Sequence, residues 1–231
     1  MSFFKAKKKA EDVKQGGDSK YINGSGFYPV NVIAPFVSTS PKGSMAVDLF
    51  INHLEQKQAL YGNLRITNNN DAEGNTVHNA IGSKVFNQLV VIADVDDVSE
   101  PIEAELPRGK KGKMEDSAVL EDLADVDVIV RIQMEYSKYN GTIQEKKVIK
   151  AFFRASDNAS AEEIVNDSEV GLHFAKEQKY ADSVTYKDGL DEAAITAWVA
   201  GGRGKGGAAA NSAPTKTPGF GKKTSFGKKA D

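Results

Sequence analysis

Val128-Ile-Val-Arg-Ile-Gln-Met-Glu-Tyr-Ser-Lys-Tyr-Asn-Gly-Thr-Ile-Gln-Glu-Lys-Lys-Val-Ile-Lys-Ala-Phe-Phe-Arg154 carries the clearest statement of the fold. Val128, Val130, Ile132, Met134 and Tyr136 alternate with Ile129, Arg131, Gln133, Glu135 and Ser137, the period of a strand with one buried face. Asn140-Gly141 supplies the two positive φ angles of a type I′ turn, so Ile143 to Arg154 returns as the partner strand. With a two-residue loop, facing residues sum to 281. This predicts Val128 opposite Phe153, Val130 opposite Ala151 and Ile132 opposite Ile149 on the core face. Ile129 opposite Phe152, Arg131 opposite Lys150 and Glu135 opposite Lys146 then occupy the other face, with Arg154 beyond.

Upstream, Tyr28, Val30, Val32, Ala34 and Phe36 fall at period two, and Pro29 and Pro35 make that strand an edge strand or a bulged one. A turn at Pro41-Lys-Gly-Ser leads to a second strand through Met45, Val47, Leu49 and Ile51. Leu60, Leu64 and Ile66 mark a third. From Ala80 the period lengthens: Ile81, Val85, Leu89 and Ile92 line one face of a helix of about three turns. Asp94 to Asp122, with Arg108-Gly-Lys-Lys-Gly-Lys113 at its middle, lacks periodicity and reads as an exposed loop. Beyond the hairpin, Ser160-Ala-Glu-Glu163 is a capping box, and Leu190 to Ala200 forms a last helix anchored by Ile195 and Trp198.

The sum is a β-rich α+β fold: a small curled or closed antiparallel sheet, OB-like, with two or three covering helices. Residues 21–200 form one domain, between a basic arm at 1–20 and a basic tail at 201–231 expected to be disordered. The tail contains Gly201-Gly-Arg-Gly-Lys-Gly-Gly and a repeat, Phe220-Gly-Lys-Lys and Phe226-Gly-Lys-Lys, with almost no branched apolar residues to offset the entropy of folding. Its charge is +6 and that of the arm +3, in a chain whose total is −2, so the body carries −11.

Absences narrow the chemistry. There is no cysteine, which closes disulfide and thiolate-metal readings and fits a reducing cytoplasm. The start has no apolar run after its lysines, so no signal peptide is expected, and no stretch approaches a membrane span. His53, His78 and His173 stand in no metal-binding spacing and read as loop or surface residues. Asp94, Asp96, Asp97 and Glu100 read as a solvated acidic loop rather than a Mg²⁺ site. The glycine-rich start of the tail lacks the strand and helix that frame a phosphate loop. No active site, cofactor or metal is predicted.

The faces turned from the core mix cations with rings, as a groove tracking a single strand requires: charge for the backbone, rings for the bases. Candidates are Phe50, Tyr61 and Arg65 on the meander and Arg131, Tyr139, Lys150, Phe152 and Arg154 on the hairpin. The tail adds Arg203, Lys205, Phe220, Lys222, Lys223, Phe226, Lys228 and Lys229, suited to phosphate contact and base stacking.

Three segments also resemble the single-stranded DNA-binding proteins of tailed bacteriophages: Ser2-Phe-Phe-Lys-Ala-Lys, Gly26-Phe-Tyr-Pro-Val30 leading to Thr39-Ser-Pro-Lys-Gly43, and Gln133 to Gly141 followed by Val148-Ile-Lys-Ala-Phe-Phe. The resemblance spans about residues 21–155. It implies a non-catalytic binder of single-stranded DNA serving phage replication, recombination or transcription in the cytoplasm of an infected bacterium, with phage polymerase or recombination proteins as partners. Some such proteins act as cofactors of a phage RNA polymerase. The basic tail departs from the acidic one with which many single-strand binders recruit partners. A homo-oligomer is compatible with this reading, and membrane association is not expected. The competing reading is an assembly factor that uses the Phe-Gly-Lys-Lys repeats as docking peptides.

Overall fold

The structure, a computed structural model, describes residues 20–203. Three strands form a meander: β1 (Gly26–Thr39), β2 (Met45–His53) and β3 (Gln56–Arg65). The helix α1 (Ala80–Ile92) follows, capped by Asn79, whose side chain accepts from the Gly82 N–H. A short hairpin, β4 (Ile102–Leu106) and β5 (Glu115–Val119), precedes the long hairpin β6 (Val126–Tyr139) and β7 (Thr142–Arg154). The chain ends with α2 (Ala161–Val165), α3 (Leu172–Gln178), β8 (Val184–Tyr186) and α4 (Glu192–Ala200).

The fold is α+β and strand-rich, built on an open and largely antiparallel sheet whose main path runs β3-β2-β1-β6-β7. Among the described residues no ladder joins β3 to β7. α1 lies between them and touches both. Gln88 Oε1 accepts from the Phe152 N–H on the outer edge of β7 (3.0 Å), so a helix side chain satisfies a donor that a neighbouring strand would otherwise take. At the other side Gly82 lies against β3 so closely that a Cβ there would stand 1.8 Å from the Arg65 carbonyl oxygen.

β1 is central rather than an edge, and it is bulged. It pairs with β6 over Gly26 to Val32, then with β5 at Phe36 and Val37, while β2 lies along its other side from Asn31 onward. Both prolines stand where no partner needs their missing N–H. Pro29 precedes the start of β2 pairing, and its carbonyl accepts from His53 Nδ1 (2.9 Å). Pro35 sits where β1 exchanges β6 for β5, with its carbonyl accepting from the Leu120 N–H (2.9 Å). His53 is accordingly a buried strand residue, not a surface one.

Bulges explain how one sheet buries both faces. The shift at Ile33 turns Val30 and Val32 into the main core but Ala34 and Phe36 to the opposite side. The main core holds Val47, Leu49, Leu60, Leu64, Val128, Val130 and Ile132 beneath Val85, Leu89 and Ile92 of α1. Ile81, expected on that face, is 79% exposed in the first turn. On the opposite side Phe36 and Phe50 pack with Leu106 and Val119 of the β4–β5 hairpin, so Asp94 to Asp122 is not the exposed loop that its composition suggested. A third cluster joins Ile129, Ala151 and Phe153 to Phe27 and to Phe174 of α3.

The predicted hairpin register holds from Tyr139↔Thr142 to Ile132↔Ile149 and then slips by one, because Lys150 is an extra residue in β7. Phe152 therefore faces Val130 and enters the main core, while Phe153 faces Ile129 and enters the cluster under α3. A single inserted residue inverts the faces of everything beyond it.

The capping box forms as expected. Glu163 closes it on the Ser160 N–H (2.8 Å) and also accepts from the N–H groups of Gly171 (3.2 Å) and His173 (2.8 Å) at the start of α3. Burial opposes ionisation of this carboxyl, but its hydrogen bonds together hold its pKa down to about 2. α2 and α3 are thus tied by one side chain.

Candidate nucleic-acid interface

Leu60 and Leu64 are buried in the main core, which leaves Lys57, Tyr61 and Arg65 on the outward side of β3. Lys57 and Arg65 are exposed. Tyr61 is half-buried: its ring meets Phe36 edge-on at 6.1 Å, and its hydroxyl donates to the Arg108 carbonyl (3.0 Å). Burial pushes its phenol pKa up. That hydrogen bond brings the β4–β5 turn onto β3, and with it the exposed Lys111 and Lys113.

Arg108 itself is committed to the scaffold. Its guanidinium lies over Phe36 (4.9 Å), donates from Nε to Ser117 Oγ (2.7 Å), and stands 3.1 Å from the Glu115 carboxylate. Phe50 lies beneath this arrangement and is 3% exposed. Its direction, away from the main core, is as the alternation gives it. Its expected role as a stacking surface is corrected, because the β4–β5 hairpin covers it.

The hairpin cations fare differently. Arg131 is nearly covered by α3: it pairs with Glu177 and lies near the Tyr180 ring (5.9 Å). Arg154 makes two hydrogen bonds to Asp157 (3.0 and 2.6 Å), and that partner holds its pKa above the usual guanidinium value. Arg131 is thus covered as well as paired, which corrects the expectation of an outward phosphate contact there, whereas Arg154 is paired but keeps a partly exposed side chain. Phe152 is buried at 1% and is corrected with Phe50. Lys150, the bulge residue, is half-buried and among the described residues has no ion-pair partner. Tyr139 at the hairpin tip is 64% exposed.

Arg203, the last described residue, stands 3.6 Å from the Glu145 carboxylate. Lys205, Phe220, Lys222, Lys223, Phe226, Lys228 and Lys229 lie outside the described residues, as does most of the N-terminal arm. The two described ends lie at one end of the sheet. Lys20 is 4.0 Å from Glu55 in the β2–β3 turn, and that turn and Arg203 both belong to the end where β1 begins. The structure therefore assembles an outward row, Lys57, Tyr61 and Arg65, and hydrogen-bonds to its central tyrosine the turn on which Lys111 and Lys113 are exposed.

Lys57 was not legible in the sequence, because β3 begins at Gln56, ahead of the apolar alternation that starts at Leu60; nor was the placement of Lys111 and Lys113, because the β4–β5 pairing that carries them rests on only a few buried residues. A cleft of about 310 Å³ between α1, α2 and β7, lined by Lys84, Gln88, Phe153 and His173 among others, belongs to a different side. Among the described residues no three His, Asp or Glu side chains converge as metal ligands, and no helix is long and apolar enough to cross a membrane. No protein-family model matches the chain, and no curated protein matches it.

Proposed function

We propose that this protein binds single-stranded DNA without strong sequence preference, in the manner of the phage proteins its segments resemble. The observation that carries the reading is the row Lys57, Tyr61 and Arg65 on β3 with the basic β4–β5 turn folded against it. Exposed cations flanking a ring on a sheet face suit a flexible polyanion with unpaired bases. The strand succession β3-β2-β1-β6-β7, with a helix between the third strand and the hairpin, supports the OB-like reading. An acidic body is compatible with this, since a local basic stripe steers a ligand whatever the total charge.

The test is an anisotropy titration of labelled oligo-dT against a duplex of equal length across a salt series. Tight, salt-sensitive binding to the single strand, weakened by Lys57→Ala with Arg65→Ala, is expected. Equal affinity for both forms, or none for either, would sink the proposal.

A further inference from the structure

β6 outgrows β1. Past Ile132, which faces the first residue of β1, its edge is taken over by β8 running parallel, with Met134 facing Val184 and Tyr136 facing Tyr186. At this projecting end the Tyr136 and Tyr186 rings stack (6.1 Å, 15°), and the Trp198 ring of α4 meets Tyr136 edge-on (6.3 Å, 74°). All three rings keep part of their surface in water, unlike Phe50 and Phe152. Beyond the rings the helix is held by buried Leu190 and Ile195 and by the contact of Arg203 with Glu145, so it is lightly fastened.

Charge is arranged around the rings. The Tyr136 hydroxyl donates to the Glu145 carboxylate (3.1 Å), and the same oxygen faces Arg203. Lys147 is two residues from Glu145 on β7 and so shares its face. Burial lowers the Lys147 pKa; the Glu145 carboxylate acts against that, and the charge of Arg203 adds to it. Two cations therefore share one carboxylate beside three partly open rings. A helix anchor alone would need neither the phenol tips nor the second cation.

We propose that Tyr136, Tyr186 and Trp198 form a stacking site for the unpaired bases of a single strand, with Arg203 and Lys147 as its phosphate contacts. The proposal rests on the single-strand reading above and adds a second contact surface at the hairpin end. A phosphate competes with Glu145 for Arg203, loosens α4 and opens the ring edges to bases. Stacking of a base on such a ring contributes enough that its removal weakens binding by about 5- to 100-fold.

Trp198 is the single tryptophan of the chain, so its emission reports on this site alone. Full-length protein is titrated with oligo-dT carrying 5-bromouracil, whose heavy atom quenches on contact, while anisotropy of a labelled oligo-dT follows total binding. Quenching with the same midpoint as the anisotropy is expected. Tyr136→Ala and Trp198→Ala should weaken binding about 5- to 100-fold, and Trp198→Phe, which keeps a ring, should restore most of it. If the oligonucleotide binds while Trp198 emission is unmoved, the site is overturned and the single-strand reading stands. If wild-type protein binds no oligonucleotide, both fall. The quenching measurement needs no variant, so a substitution that unfolds the hairpin end does not blunt the test.

Discussion

Lys150 shows how much one residue decides. Nothing in Val148-Ile-Lys-Ala-Phe-Phe153 says which residue is surplus, because Phe152 and Phe153 are equally apolar and both become buried, on opposite faces of β7. The alternation therefore located the strand and its first eight pairs, Tyr139 to Ile132, and misassigned the faces beyond. Phe152→Ala should cost about 3–5 kcal/mol and lower the denaturant midpoint, with Phe153→Ala comparable, since each empties a fully buried site. A loss of oligonucleotide affinity with unchanged stability in Phe152→Ala would restore the outward assignment. Glu163 carries a pH dependence. Its pKa falls from an ordinary 4.5 to about 2 on folding, so its contribution is complete above about pH 4.5 and is lost as the pH falls towards 2. Glu163→Gln keeps the shape and removes the charge. It should cost about 2–3 kcal/mol at neutral pH, measured by chemical denaturation, and should flatten the acid limb of the stability profile between pH 4.5 and 2.

Elements were legible where their period was long and their residues large. The meander, α1, the long hairpin, the capping box and α4 follow from spacing, whereas β4, β5 and β8 are three to five residues long and present too little apolar repetition. The β4–β5 hairpin matters most among these, for it buries Phe50 and carries Lys111 and Lys113 to β3. The β2–β3 turn was hidden for another reason. Leu54 and Glu55 both adopt left-handed φ angles, +48° and +65°, in a two-residue hairpin without Asn or Gly. Such backbone strain costs on the order of 1–2 kcal/mol for each residue. Replacing Leu54 and Glu55 with Asn-Gly should raise the thermal midpoint by several degrees, with the register from His53↔Gln56 unchanged. An unchanged or lowered midpoint would mean that Leu54, though half exposed, packs well enough to offset the strain.

At the scale of the whole molecule, charge is divided between a body of −11 and ends of +3 and +6. The described ends of the chain, Lys20 beside Glu55 and Arg203 beside Glu145, lie at the same end of the sheet as the hairpin tip, so on the proposed reading both basic segments start from the end that holds the hairpin rings. On that reading, a body of net charge −11 repels a stiff, densely charged duplex that would have to lie across it, whereas a flexible strand can keep to the cations. Deleting residues 204–231 removes six lysines and leaves Arg203 on Glu145, so the folded body and its hairpin end should be unaltered, as judged by the melting curve and Trp198 emission. Each phosphate contact contributes about −0.7 to the log–log salt slope of single-strand binding, so the slope should become shallower by up to about 4. A slope identical to that of the full chain would confine DNA contact to the body and assign the Phe-Gly-Lys-Lys repeats to a protein partner instead.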